Sequence, residues 1–190
     1  QIMQVLSRKT KNNVILVGEA GVGKTKVIEG LAVAGVEGQF GGLLAGKRIL
    51  DLNISALMSG TKYRGELEEK LLGLLNEVRN SPEIVLFIDE IHLIMGAGGT
   101  GDGSLDVANL MKPPLARGEI RCLGATTFSE YRKFIERDPA IERRFQMIRL
   151  EPLTDDATYD VLEKLSPSLS KHHSMGVDER SMRAAISLTN

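Results

Sequence analysis

Cysteine is almost missing from this chain. Cys122 is the one thiol in 190 residues, so no intramolecular disulfide framework holds the fold, and a chain of this length buries enough apolar surface to need none. Cys122 sits in the apolar run Ile120-Arg121-Cys122-Leu123. That setting suits a buried thiol in a reducing compartment, and no His, Asn or Asp constellation frames it as a nucleophile. A surplus of charge is missing too. Lys plus Arg total 24 against 25 for Asp plus Glu, which gives no overall attraction to nucleic acid or to an anionic membrane and leaves only a local basic face open. No apolar run reaches the length of a membrane span, and the first residues carry no signal-peptide pattern. His92 and the doublet His172-His173 lack the spacing of metal ligands and are expected to be structural. The methionines are scattered, which favours gap-filling in a core over a docking stripe. Repeats, heptad arrays and long low-complexity tracts are missing, and the glycine-rich stretch from Gly96 to Gly103 reads as one loop.

What is present is phosphate chemistry. Gly18-Glu19-Ala20-Gly21-Val22-Gly23-Lys24-Thr25 matches G-x-x-x-x-G-K-[ST], a loop whose backbone N–H groups wrap phosphates and whose Lys reaches the terminal ones. Four fixed positions are a modest signal alone, so the flanks decide. Val14-Ile15-Leu16-Val17 precedes the loop as a strand fit for burial on both faces, and Val27, Ile28, Leu31 and Ala32 follow at helical spacing. Strand, glycine loop and helix are what the motif requires, and the ligand it implies is a nucleoside triphosphate such as ATP with Mg²⁺.

Runs at 14–17, 48–52, 84–88, 120–125 and 146–150 read as strands, and most segments between them carry helical periodicity. The expected class is α/β, a parallel five-stranded sheet flanked by helices. After Gly65 the stripe Leu67, Leu71, Leu74, Leu75 and Val78 predicts a helix ended by Ser81-Pro82. A helix through Tyr131, Phe134 and Ile135 is expected before a short one with Asp138 as N-cap and Pro139 first. Beyond Pro152 no strand returns. Thr154 and Asp178 are expected to cap two helices, with Pro167 interrupting the first. The expected division is a large domain over 1–151 and the start of a small helical lobe over 152–190. The opening residues, apolar at Ile2, Val5 and Leu6, read as a helix entered part-way, as in a piece of a longer protein.

The second half of the phosphate site follows the strand Ile84-Val85-Leu86-Phe87-Ile88, which ends in Asp89-Glu90. Two carboxylates thereby stand at the carboxyl edge of a buried strand, where open α/β sheets bind ligands. Asp89 is expected to hold the Mg²⁺ that Thr25 also contacts, and Glu90 to deprotonate the attacking water. Side chains alternate along a strand, so the two are expected to point different ways. The interval between Lys24 and Asp89 leaves room for an extra strand and two helices, which favours an ATPase over a GTPase, and no Asn-Lys-x-Asp guanine-reading segment occurs.

GEAGVGKT, GTKYRGE, FIDEIH, GATT and ERRF together resemble the first ATPase module of Clp-type AAA+ protein unfoldases, the ClpB and ClpC class, over essentially the whole chain. The resemblance implies a P-loop AAA+ domain in a homo-hexameric ring that hydrolyses ATP between subunits, and unfolds and threads aggregated or unfolded polypeptide through a central pore. A peptidase or co-chaperone partner is implied as well, in the cytoplasm or an organelle matrix. It implies that Lys24 and Thr25 contact phosphate and magnesium, that Asp89 is the second metal contact, and that Glu90 is the catalytic base. Thr127 resembles the sensor that sets water against the γ-phosphate, although it can also cap the next helix and Thr126 competes for either role. Arg143 and Arg144 resemble arginine fingers offered to a neighbour's ATP. Lys62, Tyr63 and Arg64 resemble the pore loop that grips substrate, and Gly98 to Asp106, with Asp102 and Asp106, a second one. Two departures stand out, Lys26 where a small residue is common and Pro113-Pro114 in place of Pro-Ala. An AAA+ nucleic-acid motor and a weakly hydrolysing nucleotide-binding scaffold are the competing readings.

Overall fold

The computed structural model describes residues 1–39, 46–59, 64–95 and 104–189. Five strands, β1 (Asn13–Val17), β2 (Arg48–Asp51), β3 (Ile84–Ile88), β4 (Cys122–Thr126) and β5 (Phe145–Arg149), form one sheet in the order β2-β3-β4-β1-β5. All four pairings are parallel, with Val14 beside Leu123 and Gln146, and Leu86 beside Cys122 and Leu50. This is the five-stranded parallel sheet expected from the apolar runs.

The inner strands β1, β3 and β4 are almost wholly buried because each lies between two others, while β2 and β5, at the sheet's edges, carry Arg48, Asp51, Gln146 and Arg149. In β1, Ile15 and Val17 face one side while Val14 and Leu16 face the other, and β3 divides in the same way. One side is covered by α1 (Ile2–Leu6) and α2 (Lys24–Val36), through Met3, Val5, Ile28 and Leu31. The other is covered by α3 (Ile54–Ser59), α4 (Arg64–Asn80), α5 (His92–Met95), α6 (Ser104–Arg117) and α8 (Pro139–Glu142), through Leu71, Leu75, Ile94, Met111 and Ile141. The leucine stripe of α4 is the buried face that its spacing predicts.

Between β4 and α8 the chain makes a single helical turn, α7 (Phe128–Glu130), that widens into a π turn over Tyr131–Ile135. The N–H of Glu136 reaches back to the carbonyl of Tyr131 at 3.0 Å. The expected helix through Tyr131 is thus present with a looser pitch, a feature common beside functional sites. Asp138 caps α8, its Oδ1 accepting from Ala140 N at 3.1 Å and Ile141 N at 3.4 Å, with Pro139 in the first turn.

The chain divides into two compact units, Gln1–Leu150 and Glu151–Asn190. The second is a helix pair, α9 (Asp155–His173) and α10 (Glu179–Thr189), capped by Thr154 and Asp178. Pro167 does not interrupt α9, contrary to expectation. Pro167 lies on the exposed side of α9, where its missing N–H costs the helix one backbone bond without ending it. Among the described residues no helix is long and apolar enough to cross a membrane.

Candidate nucleotide-binding site

The site lies where the sheet's strands end. Gly23 closes the phosphate loop with φ 93° and stands as N-cap of α2 without any side chain capping it. An L side chain is strained there, so glycine lets the loop turn while the first N–H groups of α2 stay open to an anion. Lys24 is folded back along the loop, its Nζ donating to the carbonyls of Gly18 at 2.9 Å and Glu19 at 2.8 Å.

From β3, Asp89 meets this loop. Thr25 Oγ1 donates to Asp89 Oδ2 at 3.0 Å, and Asp89 Oδ1 accepts from the Glu90 N–H at 3.0 Å. β3 ends at Ile88 and Glu90 adopts φ 51°, so strand alternation does not extend to the pair, and both residues are among those lining one cleft. The N–H of Ile91 then donates to the carbonyl of Ala125 at 3.1 Å, stitching this turn to the tip of β4.

At that tip Thr126 is buried, while Thr127 starts α7. Thr127 is a capping residue in the fold. Its hydroxyl accepts from Glu130 N at 3.4 Å and donates to Glu130 Oε2 at 2.7 Å, and Glu130 Oε2 accepts from Thr127 N at 3.2 Å. The same oxygen accepts from Thr126 Oγ1 at 3.1 Å. Partial burial of the Glu130 carboxyl works to raise its pKa. The hydrogen bonds from Thr127, the charge of His92 and the Thr126 hydroxyl together prevail and hold it below the ordinary glutamate value.

These tips enclose a cleft of about 700 Å³. Of the residues expected in the site, Ala20, Gly21, Gly23, Lys24, Thr25, Asp89, Glu90 and Thr127 line it. Gly18 and Glu19 act through the carbonyls that hold Lys24, and Val22 N bonds to Glu19 O within the loop. Arg143, exposed, and Arg144, half-buried, do not line the cleft. Lys62, Tyr63 and Asp102 lie outside the described residues, and Arg64 and Asp106 are described only as positions in α4 and α6.

The family described as "ATPase family associated with various cellular activities (AAA)" matches residues 14–153. The chain belongs to the AAA family. Among curated proteins, this AAA chain is similar to the chaperone protein ClpB of Aquifex aeolicus, at 48% identity over 100% of the chain and 19% of that protein. It is equally similar to the chloroplastic chaperone protein ClpC1 of Arabidopsis thaliana, at 48% identity over 100% of the chain and 20% of that protein. Among solved structures it resembles an S. cerevisiae Hsp104–ADP complex, with a TM-score of 0.88, 39% identity, and coverage of 100% of the chain and 32% of that one. The chain thus spans about a fifth of the length of the curated relatives named here. The Clp resemblance expected from the motifs is met by these matches.

This AAA cleft holds residues that the motifs did not point to. Asp51 and Asn53 reach it from the end of β2, Lys26 from α2, and Glu130 from α7. Lys26 pairs with Glu29 at 2.6 Å. A capping-box spacing, Thr127-x-x-Glu130, was the one available signal for Glu130. Asp51 and Asn53 offer none, because they enter the site only through strand order.

The donor set suits a hard divalent cation. Thr25 and Asp89 present adjacent oxygens, and the cleft is lined by four carboxylates (Asp51, Asp89, Glu90, Glu130) against two ammonium groups (Lys24, Lys26). Among the described residues no three His, Cys, Asp or Glu side chains converge as a closed metal cage. Mg²⁺ needs no such cage, since it is held by one or two protein oxygens with phosphates and water completing its shell.

Proposed function

We propose that this chain is the ATP-hydrolysing module of a ring-forming Clp-type chaperone that unfolds polypeptides and threads them through a central pore. The observation that carries the catalytic part is the Thr25–Asp89 bond, which brings the phosphate loop and the Asp89-Glu90 pair to one cleft. The polypeptide part rests on likeness to ClpB and ClpC1 and to Hsp104, which has been solved in the presence of ATPγS and FITC-casein at 40% identity to this chain. No nucleic-acid motor stands among these relatives.

In this reading the loop N–H groups and Lys24 hold the β- and γ-phosphates, and Thr25 and Asp89 hold Mg²⁺, which would neutralise charge on the phosphate oxygens. Glu90 takes a proton from water as its oxygen attacks the γ-phosphorus. The bond to the β-phosphate breaks, leaving ADP and inorganic phosphate. Thr127 orients the water, and Arg143 and Arg144 of an adjoining copy meet the charge that develops. Lys62, Tyr63 and Arg64 contact the threaded chain. We place the protein in a reducing compartment, cytoplasm or organelle matrix, alongside chloroplastic and bacterial relatives.

Phosphate release from ATP tests this. Wild type should turn over in Mg²⁺, Lys24→Ala should lose nucleotide binding, and Glu90→Gln should bind ATP without cleaving it. A Glu90→Gln rate equal to wild type overturns the assignment of the base.

A further inference from the structure

We propose that His92 and Glu130 form a positioning clamp that holds the Glu90 turn and the Thr126-Thr127 tip of β4 in register; the proposal rests on the nucleotide reading above. It adds two residues that act through others.

Helix capping alone does not account for this cluster. A capping box is complete once Thr127 and Glu130 have exchanged their bonds. Glu130 goes further. Its Oε2 also accepts from the buried Thr126 hydroxyl at 3.1 Å, and its Oε1 stands 3.2 Å from His92 Nε2. The other ring nitrogen, His92 Nδ1, lies 3.1 Å from Thr126 Oγ1. Carboxylate, imidazole and hydroxyl therefore close a ring of polar contacts that joins α5 to the β4 tip. The imidazole cannot turn freely within it. Only 11% of the His92 side chain is exposed, and the ring stacks on Phe134 with centroids 6.2 Å apart and planes 18° off parallel. The π turn after α7 supplies that Phe134.

His92 also stands two residues after Glu90, whose φ of 51° is unfavourable for a non-glycine residue. Such a conformation persists only where its surroundings over-determine it. Backbone tethers run from Ile91 N to Ala125 O and from Leu93 N to Glu90 O at 2.8 Å. The His92–Glu130 contact is the side-chain tether that completes them. One end of the clamp fixes the water-activating carboxylate and the other fixes the threonine hydroxyls at the γ-phosphate end. The loop that holds the β-phosphate is untouched.

The test compares wild type with Glu130→Ala, Glu130→Gln, His92→Phe and the double variant, measuring kcat for ATP and affinity for ADP. Glu130→Ala should lower kcat about 10–100-fold, the usual range for residues that orient a primary contact, with ADP affinity within about twofold. Glu130→Gln, still an acceptor for both hydroxyls, should recover most of the rate. His92→Phe keeps the stack on Phe134 and should lower kcat less, and the double variant should be no slower than Glu130→Ala because the two act as one unit. If turnover is too slow to read, Glu130→Ala should lower the ratio of ATPγS to ADP affinity about tenfold, the equivalent of one charge-assisted hydrogen bond. An unchanged kcat or ratio, equal losses in kcat and ADP affinity, or multiplying effects of the two substitutions would overturn the clamp. A wild type that binds neither ATP nor ADP would overturn the nucleotide reading instead.

Discussion

The hydroxyl of Thr25 donates to the Asp89 carboxylate at 3.0 Å, joining the first turn of α2 to the tip of β3 although β4 lies between β1 and β3 in the sheet. Two oxygens at that separation can share one cation, and the surrounding carboxylates make a bare nucleotide polyanion unwelcome. Asp89→Asn keeps the size and one acceptor oxygen but removes the charge. In EDTA fluorescent ADP should bind the variant at least as well as wild type, since one repelling carboxylate is gone. In Mg²⁺ the variant should bind at least about tenfold more weakly, since it lacks the anionic ligand that the cation prefers. Equal affinities in Mg²⁺ would remove Asp89 from the metal's shell.

Arg143 and Arg144 follow α8 with their backbone tied to the sheet, since the Asn13 N–H donates to the Arg144 carbonyl at 3.3 Å. Among the described residues neither guanidinium makes a salt bridge or side-chain hydrogen bond, and neither lines the chain's own cleft. Under the proposed function such a pair would serve the cleft of a second copy. ATP turnover per chain should therefore rise with protein concentration as copies assemble. Arg143→Ala with Arg144→Ala should remove most of it, by about 10³–10⁵ if both act as fingers, while ADP binding persists. A rate per chain that stays constant from nanomolar to high micromolar contradicts a shared site.

Features carried by contiguous residues were legible in the sequence. β1 and β3 declared themselves because both their faces are buried and their runs from Val14 to Val17 and from Ile84 to Ile88 hold no polar residue, and Asp138-Pro139 announced α8 because capping is local chemistry. Pro167 misled because a proline removes one backbone bond from a helix, a loss that the 19-residue α9 absorbs without ending. Alternation was a poor guide to Asp89 and Glu90 because strand geometry ends at Ile88, before the pair. The His92–Glu130 contact was hidden for a different reason. It joins residues 38 positions apart in the chain that meet only because β3 and β4 are neighbours and end at the same edge.

Cys122 supplies a pH dependence whose sign is fixed by burial. It is fully buried in β4, and burial pushes its thiol well above the ordinary cysteine value. The folded chain thus holds the proton more tightly than the unfolded chain. Its contribution to stability is complete below the unfolded thiol's value, about 8.5, and declines as pH rises above it, because unfolding then releases a thiolate. The urea midpoint of wild type should fall between pH 8 and pH 10 more steeply than that of Cys122→Ala. A disulfide reagent at neutral pH should label Cys122 only as fast as the chain unfolds. Rapid labelling of the folded protein would show that the thiol is accessible.

Gly124 and Gly73 should respond to alanine with opposite signs. A Cβ on Gly124 in β4 would stand 2.8 Å from Ile91 Cδ1, 3.0 Å from its Cγ2 and 3.2 Å from its Cβ, and Ile91 is fully buried. Ile91 cannot retreat alone, because its N–H is bonded to Ala125 and the residue before it is Glu90 in its left-handed turn. Gly124→Ala should therefore cost about 1–3 kcal/mol of stability, the usual penalty of overpacking a core, and should lower kcat more than it lowers ADP affinity. A Cβ on Gly73 in α4 would meet nothing within 4 Å. Gly73→Ala should stabilise by about 0.4–1 kcal/mol through the unfolded chain's reduced freedom. Urea unfolding measures both, and a neutral Gly124→Ala with unchanged turnover would mean that the contact between Ile91 and β4 does not set the position of Glu90.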